Sequence, residues 1–287
     1  MAGDFQFEIG GVGISAYGEL PVDNMGSLVD YRPFLSTHRK NEDITLLYHQ
    51  GCLKFPSAGK VFECPPIWSL YHHLGNTIID FFPDIPGLRR ALVISSEGKR
   101  ADLYLGEGPH GFVDPFYAPT VELLLVHYLA QGYGVIVHAC GIATGDRGIL
   151  FVGESGAGKS TMARLWAQEK GVDILSDDRV IVRKREDHFW MYGTPWHGDA
   201  AFASPRGMKA EKIFFLKHSS RNAATEIIGI DPPARLLTCS FPPYWDPEGM
   251  RFTLEFFADL AAKVPCYELS FRPDRSIVEF VQTIVAT

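Results

Sequence analysis

The sequence predicts an α/β domain, residues 113–287, preceded by a β-rich N-terminal domain, residues 1–112. Three observations carry that division. The first hundred or so residues are written in short aromatic and β-branched runs with no helical period. A Gly/Pro-rich passage, Gly106-Glu107-Gly108-Pro109-His110-Gly111 with Pro115 and Pro119 behind it, then breaks the chain. Beyond it, helical and strand patterns alternate, as they do where helices cover a sheet.

In the first part, Phe5-Gln6-Phe7-Glu8-Ile9 alternates with period two, the mark of a half-buried strand. Ile44 to Tyr48 and Ile67 to Tyr71 are further strand-like runs. Leu92-Val93-Ile94 and Leu103-Tyr104-Leu105 flank Glu97-Gly98-Lys99 and predict a hairpin. No cluster of catalytic residue types stands out in this half, and its role is not declared.

In the second part, Thr120 to Gln131 predicts a helix, entered after Pro119 and stopped at Gly132. Gly134 to Ile142 predicts a buried strand, and Asp146-Arg147-Gly148 a turn into the strand Ile149 to Val152. A helix from Lys159 to about Lys170 is closed by Gly171. A strand begins at Ile174-Leu175, and Arg179 to Lys184 with His188 to Tyr192 form a hairpin around Glu186-Asp187. Ile213 to Leu216 predicts a strand, and Phe252 to Ala262 a helix. The last helix follows Asp274 with an apolar stripe of Ile277, Val278, Val281, Ile284 and Val285. No internal repeat is visible.

Composition narrows the function classes. Hydrophobic residues make up 46% and charged residues 21% of 287, ordinary globular values. A net charge of -7 without any Lys/Arg run argues against nucleic acid as a partner. Five scattered cysteines, Cys52, Cys64, Cys140, Cys239 and Cys266, form no CxxC pair, so neither a zinc site nor a disulfide framework is indicated. Free thiols, the lack of a basic-then-apolar leader and the lack of a long apolar run predict a cytoplasmic protein without membrane partners. The oligomeric state, a homo-oligomer included, is left open.

The sharpest signal is Gly153-Glu154-Ser155-Gly156-Ala157-Gly158-Lys159-Ser160-Thr161, which matches G-x-x-x-x-G-K-[ST] between a strand and a helix. Its glycines let backbone N–H groups turn toward an anion, and the helix N-terminus adds its field. The pattern predicts binding of ATP, with Lys159, read as a solvated point charge, reaching the β- and γ-phosphates and Ser160 ligating Mg²⁺. The bland alternative, a glycine-rich turn matching by chance, is disfavoured because strand, loop and helix agree.

Ser176-Asp177-Asp178-Arg179 ends an apolar strand only seventeen residues past Ser160. A metal-bound triphosphate needs a carboxylate near the metal, and a kinase is served by one that accepts a hydroxyl proton. Two adjacent acids can divide those tasks; the bland reading is a polar turn. His138, on the strand ahead of the loop, reads as a core histidine or as a site residue. Cys140 reads as core. Gly193-Thr194-Pro195-Trp196-His197-Gly198-Asp199 gathers a hydroxyl, an imidazole and a carboxylate between glycines, so Thr194 and His197 are candidate substrate contacts. Arg206, with Lys209 and Lys212, is a weaker candidate for facing phosphate.

Several nucleotide-binding classes are excluded by pattern. No Asn-Lys-x-Asp follows the loop, and the Asp-x-x-Gly at Asp84 to Gly87 precedes it, which argues against a GTPase. No Leu-Ser-Gly-Gly, His-Arg-Asp or Asp-Phe-Gly occurs, which removes transporters and eukaryotic-type protein kinases.

With His138, the loop, and Asp177-Asp178-Arg179 in that order, the chain resembles the HPr serine kinase/phosphorylase family, whose catalytic domain is related to phosphoenolpyruvate carboxykinase. It is most similar to the HPr-kinase-like proteins of peptide-modification clusters, through Leu165-Trp166, Gly-Thr-Pro-Trp-His-Gly at 193–198, Ile213 to Leu216 and Phe271-Arg-Pro-Asp274. The resemblance covers most of the chain from Tyr117 onward. It implies a carboxykinase-like phosphate-loop fold in which Lys159 and Ser160 hold phosphates and Mg²⁺ and Asp177 supports the metal. It makes Asp178 the base for a serine hydroxyl, with His138 bordering the transferred phosphoryl. The Arg-Gly-Leu-Gly-Ile-Ile-Asp-type segment of true HPr kinases is missing, and Gly-Thr-Pro-Trp-His-Gly stands in its place. The expected activity is therefore ATP- and Mg²⁺-dependent phosphorylation of serine on a peptide or small protein. Two alternatives stand beside it: a kinase of a small molecule such as free serine, and a non-catalytic ATP-binding regulator or scaffold.

Overall fold

The computed structural model describes residues 5–18, 26–36, 42–51, 53, 59–82, 85, 89–108, 111–112 and 114–285. Cys52, Asp84, Gly87, Pro109 and His110, on which expectations above rest, lie outside the described residues. The architecture is mixed α/β with two large sheets. The chain divides into two compact units, Met1–Glu8 with Val12–Tyr128, and Ile9–Gly11 with Leu129–Thr287. That division falls between Tyr128 and Leu129, later in the chain than residue 112. No helix among the described residues is long and apolar enough to cross a membrane.

The first unit holds one eight-stranded sheet. Its strands are β1 (Phe5–Ile9), β2 (Val12–Tyr17), β3 (Ile44–Gln50), β4 (Lys60–Cys64), β5 (Trp68–His73), β6 (Asn76–Phe81), β7 (Arg90–Ile94) and β8 (Arg100–Leu105). They lie in the order β1-β2-β3-β8-β7-β6-β5-β4. The alternation that predicts strands is visible in β3, where Ile44, Leu46 and Tyr48 are buried and their neighbours half-buried. A short helix, α1 (Leu28–Tyr31), runs into a 3-10 turn at Arg32–Phe34, neither of which the sequence pattern announces. The pair β9 (Glu107–Gly108) and β10 (Gly111–Phe112) precedes helix α2 (Thr120–Leu129).

The same unit buries Arg90. Its Nε donates to Thr120 Oγ1 at 2.6 Å, and its Nη2 donates to the carbonyls of Tyr117 and Ala118 at 2.8 Å each. Burial pulls the guanidinium down to about 10, and rings of Phe81, Phe82 and Tyr117 stand around it. It ties β7 to the start of α2, so this cation serves structure.

The second unit is built on β11 (Val135–Thr144), β12 (Arg147–Val152), β13 (Val172–Ser176), β14 (Arg179–Arg185), β15 (His188–Tyr192), β16 (Gly207–His218), β17 (Ala223–Glu226) and β18 (Cys266–Phe271). Its helices are α3 (Lys159–Trp166), α4 (Asp231–Thr238), α5 (Pro247–Lys263) and α6 (Ser276–Val285). The expected α3 is shorter than the pattern to Lys170 implies. Helix α5 starts earlier than Phe252, because Asp246 accepts from the Glu248 N–H as N-cap and Pro247 fits the first turn.

Strand β12 shows why this part reads as continuous apolar runs. Ile149 and Phe151 face a core with Met162, Ala163, Trp166 and α6, while Leu150 and Val152 face another with α4 and α5. Both faces are buried, so alternation disappears. The long strand β11 changes partner midway. Val135 to His138 pair with β14, and Ala139 to Thr144 pair with β12. His138 is the last residue before the change, and β12 delivers the chain into the 153–161 loop.

Candidate functional site

The loop after β12 turns back into α3 through Gly158, whose φ of 103° lies in the left-handed region. A Cβ there would also sit 2.5 Å from Phe271 Cζ, so glycine is required twice over. Lys159 opens the helix and is 6% exposed, not the solvated charge expected from sequence. Its Nζ donates to the carbonyls of Gly153 at 2.7 Å and Glu154 at 2.8 Å, closing the loop on itself. Burial lowers its affinity for a proton, against the raising effect of Asp178 and other anionic neighbours.

Ser160 Oγ donates to Asp177 Oδ2 at 2.9 Å. Asp177 is 1% exposed and also accepts from three backbone N–H groups: Gly198 and Phe202 at Oδ1, 3.0 and 3.3 Å, and Ala200 at Oδ2, 2.9 Å. The acid therefore joins the start of α3 to the 198–202 segment. Gly198 is needed for the close approach, since a Cβ would stand 2.8 Å from Asp177 Oδ2.

Asp178 faces the other way. Its Oδ1 lies 2.9 Å from His138 Nε2, and its Oδ2 accepts from Arg179. Burial raises its carboxyl, but the hydrogen bond from His138 and the charge of Arg179 outweigh it, and the group sits below the ordinary carboxylate range. Arg179 in turn lies over the Phe241 ring at 4.8 Å. His138 is held from both sides of its backbone, its N–H donating to Cys239 and the next N–H, of Ala139, to Asp178, at 2.8 and 2.9 Å.

These groups line one pocket of about 330 Å³. His138, Asp177 and Asp178 meet Ser155, Gly156 and Gly158 to Thr161 there, together with Arg164, Gly198, Asp199 and His218. The pairing of His138, the loop and the two acids expected from sequence is thus a spatial arrangement. Gly153, Glu154 and Ala157 belong to the loop without lining the pocket. Cys140 is buried in the α3 and α6 core, as its strand position predicts.

The three candidate substrate contacts are placed elsewhere. Thr194 is fully buried and its hydroxyl donates to the Arg179 carbonyl at 2.7 Å. His197 is exposed, with Nδ1 3.1 Å from the Gly198 carbonyl oxygen. Arg206 Nη1 donates to Asp173 at 3.2 Å. None of them lines the pocket. Lys209 pairs with Glu211 at 3.5 Å, and Lys212 lies over the Tyr267 ring.

Two pocket residues escape the sequence pattern. Arg164 stands four residues past Ser160 and so shares its helix face, a signal that was there to use. His218 comes fifty-eight residues after Ser160 and had no local signal at all.

No family model and no curated protein matches the chain. Among solved structures, the chain is similar to the HPr(Ser) kinase/phosphatase from Coxiella burnetii, at 12% identity and a TM-score of 0.33, over 53% of this chain and 99% of that one. The functional reading therefore stands on the residues of the site.

Proposed function

We propose that this protein is an ATP- and Mg²⁺-dependent kinase that phosphorylates a serine hydroxyl of a peptide or small protein. One observation carries the reading. The Ser160–Asp177 hydrogen bond stands at the N-terminus of α3, in one pocket with Lys159 and with the second acid, Asp178. A loop that only turned would need no buried lysine and no acid pair beside it.

The residues fit the groups the reading requires. Loop N–H groups and the N-terminus of α3 favour a polyphosphate, and Lys159 has only to exchange carbonyl partners for phosphate oxygens. Among the described residues no group of three or more His, Cys, Asp or Glu gathers to hold a metal. Mg²⁺ binds through few protein oxygens, phosphates and water. Ser160 and Asp177 would hold it, and when bound it would spread charge on the transferred phosphoryl group.

In the reaction, the acceptor oxygen forms a bond to the γ-phosphorus while the bond from that phosphorus to the bridging oxygen breaks. The products are a phosphoserine and ADP, and the hydroxyl proton passes to Asp178. A carboxylate of depressed pKa is a weak base, but phosphoryl transfer is loose and the proton is lost late. Asp178 orients the hydroxyl and takes its proton late, and His138 keeps its Oδ1 aimed.

The reading is tested with Asp178→Asn, assayed for phosphate transfer to serine-containing peptides and free serine. Transfer should fall roughly 10²–10⁴-fold with ATP affinity little changed. A second reading, an ATP-binding regulator without catalysis, is favoured by one observation: both Asp178 oxygens are already engaged. Equal rates for wild type and variant would select it.

A further inference from the structure

Strands β16 and β18 overrun the end of β12. Strand β12 stops at Val152, opposite Phe215, whereas β16 continues to His218, paired in register with Phe271. The overhang sets His218 against the loop. Its Nε2 lies 2.9 Å from the Gly156 carbonyl oxygen, and since a carbonyl only accepts, the imidazole donates. The ring is tilted on Phe271, with centroids 5.3 Å apart. A Cβ at Gly158 would come within 3.3 Å of His218 Cε1, so imidazole and glycine are close neighbours.

The bond falls on a particular peptide plane. The Gly156–Ala157 peptide has its oxygen held by His218, and its N–H, that of Ala157, donates to the Glu154 carbonyl at 3.1 Å. Both ends of one peptide are thereby fixed inside a glycine-rich loop, where backbone freedom is greatest.

We propose that His218 is a positioning residue that holds the 153–158 turn in its anion-accepting shape through the Gly156 carbonyl. It acts on the loop before any ligand arrives, so less ordering remains when a phosphate binds. The value of this device to nucleotide binding rests on the phosphate-loop reading; the hold on the loop itself does not.

Donor and packing roles separate cleanly by substitution. His218→Phe keeps a ring against Phe271 without a donor. His218→Gln loses the ring but brings an amide N–H to a similar reach. Backbone hydrogen exchange over 153–161 is measured in the ligand-free full chain for wild type, H218A, H218F and H218Q, and ATP–Mg²⁺ is titrated calorimetrically on the same preparations. H218A and H218F should exchange faster and bind ATP–Mg²⁺ roughly three- to tenfold more weakly, the worth of one hydrogen bond, with H218Q near wild type. Wild-type exchange in H218F, or an H218Q as impaired as H218A, would overturn the assignment. Should wild type bind no ATP–Mg²⁺ while exchange follows the expected order, the phosphate-loop reading falls and the His218 brace stands.

Discussion

The Ser160 hydroxyl and the Asp177 carboxylate lie 2.9 Å apart, and the same carboxylate collects three backbone N–H groups of the 198–202 segment. An amide in place of that carboxylate must present an NH₂ group to donors. Asp177→Asn should therefore unseat the segment as well as remove charge near the metal, while Ser160→Ala should only take a neutral hydroxyl from the metal's surroundings. Both variants should need about tenfold more Mg²⁺ for half-maximal ATP binding, on the scale of a lost charged hydrogen bond. Only Asp177→Asn should also lower the melting temperature appreciably. A Mg²⁺ requirement untouched in both would remove the metal role from the pair.

Asp178 gives the fold an acid limit. Its folded pKa lies below the ordinary value of 3.8 because His138 and Arg179 outweigh the opposing effect of burial. A depressed carboxyl contributes stability that is fully present above the unfolded pKa and lost as pH falls through the folded one. Wild type should exceed Asp178→Asn in stability at about pH 7, and the gap should close below about pH 4. Urea unfolding of both proteins across that range checks it; a gap that widens on acidification would contradict the ion-pair geometry.

Trp166 is wholly buried between α3 and the sheet, beside Phe151, and its Nε1 has no hydrogen-bond partner among the described residues. Trp166→Ala should cost about 3–5 kcal/mol through the cavity it leaves. Trp166→Phe should cost well under that, since it leaves a smaller void and removes an unsatisfied N–H. Denaturant titration of both variants checks this, and a Trp166→Phe cost as large as that of Trp166→Ala would contradict it.

What could be read in the sequence follows from range. The 153–161 loop, α3 and the strand before it are local, and residue spacing declares them. His138, Asp177 and Asp178 are separate signals that become a site only because β11 changes partner at His138 and β14 begins beside it. The role of the 198–202 segment was illegible because backbone N–H groups make the contacts to Asp177, and any residue type supplies those. Residue type points instead to Thr194 and His197 just ahead of it, while the segment's contribution lies in its main chain. Arg206, a candidate for facing phosphate by residue type alone, is held by Asp173 instead. In the first unit, the parallel pairings of β3 with β2 and β8 join distant runs that no hairpin pattern connects.

The proposed kinase depends on the 153–161 loop binding ATP–Mg²⁺ through Lys159. The most direct measurement is calorimetric titration of ATP–Mg²⁺ into wild type and Lys159→Met, which keeps the buried stem and removes the charge. Wild type should bind one equivalent, and the variant, still folded by circular dichroism, should lose at least about tenfold in affinity, as expected for a charged hydrogen bond to phosphate. Equal binding by the two proteins, or no binding by wild type, would rule out a phosphate-binding role for Lys159.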